Sequence, residues 1–303
     1  MRAIYGNQQA QARLERAALG DAVSHAWLLT GPSNIGKTTL ALEFARLLEC
    51  TGRDPASAEP CGECVSCRKL AHGAQPDVIM IEPKKDERTL KVELVREMIR
   101  LASLAPSESR WRIFVIPDIE RMVLAGANAL LKTLEEPAPG VLLLLTSSEP
   151  ETLLPTILSR CQVVPMLPLA PEEVACALAE RWHIPEADAR RLAALANGRL
   201  GWAVRAAENP DLREQRIHEL EEIASLASAS RDERLRRAGA SHLALSGELR
   251  ARAERLGARL GLERAQAFMR SLLAAQLALE ANANPRLTLE ALALDLPRLP
   301  AKP

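Results

Sequence analysis

Several stretches of this chain carry residues whose types and spacing could do chemistry. In "GPSNIGKT", residues 31 to 38, the order Gly31, Gly36, Lys37, Thr38 can enclose a nucleoside triphosphate. Glycines permit a tight turn whose backbone N–H groups surround phosphates, and a following helix adds its positive end. Lys37 would reach the outer phosphates, and Thr38 would offer its hydroxyl to Mg²⁺. With Asn34 and Thr39 the candidate nucleotide set is Gly31, Asn34, Gly36, Lys37, Thr38 and Thr39, and its ligand would be ATP or ADP with Mg²⁺. A glycine turn used only for chain reversal gives no reason for a lysine and a threonine at the helix start.

A second constellation is Cys50, Cys61, Cys64 and Cys67, spaced C-x10-C-x2-C-x2-C. Four thiolates can close a tetrahedral shell around Zn²⁺. A structural metal would also explain how an insertion rich in Pro and Gly stays ordered without an apolar core. The alternatives are a redox C-x-x-C pair or four free thiols. Cys161 and Cys176 stand apart and are expected to be buried thiols.

A third stretch is "RIFVIPDIERM", residues 112 to 122, a buried strand that runs into an acidic tip. An ATPase strand of this kind normally ends in two adjacent acids, one for the metal's water shell and one for the attacking water. Pro117 holds the first place and can do neither task. Asp118 holds the second, and one step along a strand turns a side chain to the other face. Glu120 lies further on. Nucleotide binding with poor or absent hydrolysis is expected, unless Asp118 bends in and substitutes. In "TILSRCQVV", Arg160 just precedes a strand. A guanidinium fork at a sheet edge can serve a phosphate held by a neighbouring subunit. Otherwise it is a solvated charge.

These residues need elements to position them. The apolar runs at 26–30, 77–83, 111–116, 141–148 and 161–166 predict five buried strands. Helical spacing fills 7–19, 38–50, 91–105 and 122–135 between them. Strands alternating with helices predict a mostly parallel sheet covered on both faces. After residue 166 only helical periodicity remains, in short pieces at first and then in longer ones such as 263–281. The expected organisation is an α/β nucleotide-binding domain at 1–166 with the cysteine module at about 50–70. A small helical domain at 167–207 and a larger helical domain at 208–303 would follow.

Composition narrows the function classes. Lys plus Arg and Asp plus Glu both number 39, so no bulk charge draws the chain to nucleic acid. Aromatic residues make up 3%, too few for single-strand stacking platforms. No apolar run approaches the roughly 20 residues that span a bilayer, and the N-terminus has no apolar export core. A soluble cytoplasmic protein without a membrane partner is expected.

"HAWLLTGPSNIGKTT", the four cysteines, "NALLKTLEEPAP" (128–139), "TILSRC" (156–161) and "NPRLTLEALALDL" (284–296) together carry a family. The chain resembles the bacterial DNA polymerase III clamp-loader subunits of the AAA+ class, most closely the delta-prime branch. The resemblance implies an AAA+ P-loop domain, a helical lid and a helical collar. It implies a heteropentamer with gamma/tau motor subunits and a delta subunit, which loads the sliding clamp on primed DNA. Arg160 would be an arginine finger acting in trans on ATP bound by a motor subunit. Cys50, Cys61, Cys64 and Cys67 fall on the family's zinc ligands, and Thr146 falls near its γ-phosphate-sensing residue. Motor subunits carry a phosphate-sensing arginine where this chain has Gly201. Arg199, two residues away on a helix, would face elsewhere. The other implied reading is a gamma/tau-like motor that hydrolyses ATP itself. The end of the chain beyond the collar points away from the tau form.

Overall fold

In the computed structural model, residues 4–20, 23–54, 57–84 and 87–228 are described. The chain divides into two compact units, 1–209 and 210–303. The first unit opens with α1 (Gln8–Leu19), β1 (Ala26–Thr30), α2 (Lys37–Glu49) and α3 (Val65–Ala71). It continues through β2 (Val78–Met80), α4 (Val92–Ala102), β3 (Arg112–Ile116) and α5 (Leu124–Glu135). The last strands are β4 (Val141–Ser147) and, after the one-turn α6 (Pro155–Leu158), β5 (Gln162–Pro165). Three helices close the unit, α7 (Pro171–Trp182), α8 (Glu186–Ala196) and α9 (Leu200–Glu208). In the second unit α10 (Pro210–Ser228) is described, and the predicted helix at 263–281 and the 284–296 stretch lie outside the described residues.

The five strands form one parallel sheet in the order β2-β3-β4-β1-β5. It is the P-loop core of an AAA+ protein, followed by helical elements. All residues of β1, β3 and β4 are buried. That is why these strands are unbroken apolar runs: each is covered on both faces. Alternation divides their side chains. Trp27, Leu29, Ile113, Val115, Leu142 and Leu144 pack with Leu40, Ala41 and Phe44 of α2. Leu28, Phe114, Ile116, Leu143 and Leu145 pack on the other face with Val95, Met98, Leu130 and Leu134 of α4 and α5. Neither core contains a residue from the cysteine module.

β2 keeps only three of the seven residues predicted for it, and Asp77, just before it, has another task. Its carboxylate is fully buried and accepts hydrogen bonds from the backbone N–H groups of Ser107, Glu108 and Ser109 at 2.8, 2.8 and 3.1 Å. Arg112 adds an ion pair at 3.0 Å and also donates to the Leu101 carbonyl at 3.0 Å. Burial opposes the charge on Asp77, but these donors outweigh it and hold the carboxyl below its ordinary range. The stabilisation is therefore complete at neutral pH and is lost as pH falls through the depressed folded value. The cluster fixes the loop from α4 into β3, whose tip faces the phosphate loop. Asp77→Ala would strand the Arg112 charge in the interior, and a loss of about 3–5 kcal/mol in chemical denaturation is expected.

Past β5, Asn7 ties the start of α1 to the connector that leads into α7. Its amide donates to the Leu167 carbonyl at 3.1 Å and accepts from the Leu167 N–H at 2.7 Å. Tyr5 and Trp182 meet with ring centroids 6.5 Å apart. The helices α7, α8 and α9 pack on one another through small and apolar residues, including Val174, Ala177, Leu178, Leu192, Ala193 and Ala203. Cys161 is buried as expected, and burial pushes its thiol up to about 12. Cys176 is not buried. It lies off the apolar stripe of α7 and donates to Glu180 Oε1 at 3.1 Å. Among the described residues no helix is long and apolar enough to cross a membrane.

Candidate functional site

The phosphate loop joins β1 to α2 at the carboxyl end of the sheet, where ligands of open α/β folds bind. Gly31 has φ +141° and lies so close to β5 that a Cβ would come within 2.3 Å of the Met166 carbonyl oxygen, so no side chain fits there. Lys37, at the first position of α2, is 5% exposed, and its ammonium donates inside the loop itself. The acceptors are the carbonyls of Gly31 and Pro32 at 2.8 and 3.0 Å and the Ser148 hydroxyl at 2.9 Å. Burial lowers its pKa, and the charges of Asp118 and Glu120 hold part of that shift back. The loop thus carries a desolvated cation held by neutral acceptors, which a phosphate oxygen could replace with a stronger, charge-assisted partner.

The acidic tip departs from simple strand alternation. β3 ends at Ile116, and Asp118 takes a left-handed conformation with φ +46°. Its N–H donates to Thr146 Oγ1 at 3.1 Å. The strand has already ended, so its alternation does not govern Asp118, whose charge together with that of Glu120 raises the Lys37 pKa. Glu120 accepts from the Ser148 N–H at 2.9 Å through one oxygen, while its other oxygen is buried without a hydrogen-bond partner. Ser148, just past β4, was not singled out from the sequence. Only the folded sheet brings it to both Lys37 and Glu120. Pro117 offers no acid. Thr146 is fully buried at the same end of the sheet.

Across the loop stands α9. The Gly201 N–H donates to the Asn34 carbonyl at 2.9 Å, and Arg205 Nη2 donates to Asn34 Oδ1 at 2.7 Å. Asn34 itself holds φ +63°, a conformation that its short amide side chain tolerates better than most. Arg199 lies just before α9. It caps α9, is 5% exposed, donates to the Ala196 carbonyl at 3.0 Å and stacks over Trp202 at 5.8 Å.

At the far end of α2 the chain enters the cysteine module, since Cys50 is the residue that ends this helix. The four sulfurs of Cys50, Cys61, Cys64 and Cys67 lie within 4.8 Å of one another. Cys50 Sγ is 3.5 Å from Cys61 Sγ and 3.9 Å from Cys64 Sγ. A tetrahedral site with Zn–S bonds of about 2.3 Å requires sulfur separations of about 3.8 Å, so the donor set fits such an ion. Backbone N–H groups of Cys61, Cys64 and Cys67 donate to the sulfurs of Cys50, Cys61 and Cys64 at 3.2, 3.3 and 3.4 Å. Burial pushes the Cys67 thiol up to about 12, whereas at Cys64 the donors of Cys67 and Thr51 overcome burial and bring it down to about 5. The module thus sets Cys64, whose charged form its donors favour, beside Cys50 and Cys67, whose thiols burial pushes up.

Arg160 lies elsewhere. It precedes β5, whose first residue pairs with Trp27 and whose last pairs with Thr30, so it stands at the end of the sheet opposite the phosphate loop. The four residues of β5 alone span roughly 10 Å. The guanidinium is partly exposed and donates to the Thr156 carbonyl at 3.0 Å and the Ser159 hydroxyl at 3.2 Å. It pairs with Glu135, at the end of α5, at 2.6 Å. It cannot reach the phosphates of its own loop.

The family model described as "DNA polymerase III, delta subunit" matches residues 6–170, more than half of the chain and all of the sheet. The chain belongs to this family. It is similar to the DNA polymerase III subunit delta' of Pseudomonas aeruginosa, with 42% identity over 138 residues that cover 46% of this chain and 42% of the relative. Subunit delta' of Bacillus subtilis is 33% identical over 196 residues, 65% of this chain and 57% of that protein. Subunit tau of the same organism is 33% identical over 159 residues, 52% of this chain and 27% of that protein. The chain thus spans less than two thirds of the length of these relatives. As a member of the DNA polymerase III delta family it shares the AAA+ core with both delta' and tau relatives.

Proposed function

We propose that this chain is a delta-prime-like clamp-loader subunit, which helps load the sliding clamp on primed DNA and lends Arg160 to an adjacent ATPase subunit. The observation that carries this reading is the separation of its two phosphate-directed features. The chain's own loop lies at one end of the sheet, lacks an acid at Pro117 and lacks a lid arginine at Gly201. Arg160 lies at the other end, partly exposed, where a phosphate could meet it only if another chain held it. The partners in this reading are gamma/tau motor subunits, a delta subunit, the clamp and DNA. The division into 1–166, a lid at 167–207 and a collar at 208–303 belongs to the same proposal. Cys50, Cys61, Cys64 and Cys67 would hold one structural Zn²⁺, and the 31–38 loop would hold ATP or ADP with Mg²⁺. The test is the ATPase rate of a complex reconstituted with Arg160→Ala, which should assemble and hydrolyse slowly.

One observation favours the second reading, a motor that hydrolyses its own ATP: Asp118 and Glu120 both act on Lys37. The readings part on the isolated chain. Calorimetry is expected to find nucleotide binding that Lys37→Ala weakens about tenfold or more, since a charged hydrogen-bond donor contributes roughly 1.5–3 kcal/mol. Turnover by the isolated chain should stay near background. Robust turnover that Lys37→Ala abolishes would favour the motor.

A further inference from the structure

The proposed nucleotide site lacks a lid cation at 201, yet the lid carries one a turn later. Residues four apart share one face of a helix, and Gly201 and Arg205 both meet Asn34, the one through its backbone and the other through its side chain. The two positions are coupled by packing. A Cβ on residue 201 would come within 2.8 Å of the Asn34 carbonyl oxygen, so only glycine lets α9 lie directly on the phosphate loop. That close approach is what brings the Arg205 guanidinium, itself exposed to solvent, to the loop. Its partner there is a neutral amide oxygen, and among the described residues no carboxylate forms an ion pair with it. A guanidinium without a counter-charge, beside a loop whose lysine is also held by neutral acceptors, is suited to a polyanion.

We propose that Arg205 is the lid's phosphate-binding cation, taking from one helical turn further on the contact that Gly201 cannot make. It rests on the reading of the 31–38 loop as a nucleotide site. The fork of Arg205 would leave Asn34 Oδ1 for a phosphate oxygen of the bound nucleotide, and a triphosphate offers it one more charged group than a diphosphate. The exchange is favourable because a charged acceptor replaces a neutral one.

The experiment is calorimetry on the full chain with Mg²⁺, using ADP and a non-hydrolysable ATP analogue. The wild type is compared with Arg205→Ala, Arg205→Lys and Lys37→Ala. Arg205→Ala should weaken the triphosphate analogue by about 10- to 100-fold and ADP by much less. Arg205→Lys should keep part of the affinity, because it retains the charge without the fork. Lys37→Ala should weaken both ligands. Gly201→Ala should also weaken the triphosphate preferentially, by lifting α9 off the loop. Arg205 is exposed, so the variants should keep the wild-type circular dichroism. If Arg205→Ala binds the analogue as tightly as wild type, or more tightly, Arg205 is a clasp on the loop and the proposal is overturned. If the wild type binds neither ligand, the nucleotide reading falls and takes this proposal with it.

Discussion

Removal of the zinc proposed for the four-cysteine cluster is expected to unfold the segment from about 50 to 75 while the sheet and the helices α7–α9 persist. Between residues 50 and 74, Cys67 is the one buried residue among those described. The helix α3 has seven residues, too few to hold itself in water, and the Cys64 sulfur caps it by accepting from the Cys67 N–H. Sulfurs thus stand where an apolar core would otherwise be. Binding of Zn²⁺ to such a set is worth about 10–16 kcal/mol in small zinc modules, most of which appears as folding free energy. Neither apolar core includes a residue of the module, so its loss leaves their packing intact. Elemental analysis should find about one zinc per chain, and a quadruple Cys→Ser variant should have none. Limited proteolysis of the chelated protein should then cut between 50 and 75 first. A metal-free protein as resistant there as the native one would contradict the structural role.

Arg160→Ala is expected to lower the stimulated ATPase of the reconstituted complex by about 10³- to 10⁵-fold per affected site, the range for arginines that act in trans on phosphoryl transfer. Such a group offsets charge that develops at the transferred phosphoryl, so the effect should fall on turnover more than on nucleotide binding. The native fold should not suffer. The guanidinium is partly exposed, and its ion pair with Glu135 is a surface one that contributes at most about 1 kcal/mol. That pair is also a weak tether, easily exchanged for a phosphate. Arg160→Lys should recover only part of the rate, because it keeps the charge and loses the fork.

Much of this was legible in the sequence for stated reasons. β1, β3 and β4 are covered on both faces, and their apolar runs say so. The glycine loop followed by Lys37 and Thr38 needs a strand before it and a helix after it, and both are present. The cysteine spacing gave the cluster. What escaped depends on long-range contact or on local backbone exceptions. Asp77 leaves the predicted β2 run for a buried charge cluster assembled with residues 107–112. α3 has too little apolar spacing to announce itself, since its cap is a sulfur. Asp118 broke the alternation because β3 stops two residues earlier and φ turns positive. Ser148 and Arg205 reach the phosphate loop only through sheet order and lid packing, for which no local pattern exists.

The central claim is that this chain gives more to a neighbour's phosphates than it takes from its own. Its most direct test sets Arg160→Ala against Lys37→Ala in the same reconstituted complex with clamp and primed DNA, read as the steady-state ATPase rate. The account predicts that both complexes assemble, that Arg160→Ala removes most of the stimulated rate, and that Lys37→Ala leaves it close to wild type. Equal and small effects would make Arg160 a solvated charge, and a larger loss from Lys37→Ala would make the chain's own site the motor. Either result would contradict the account.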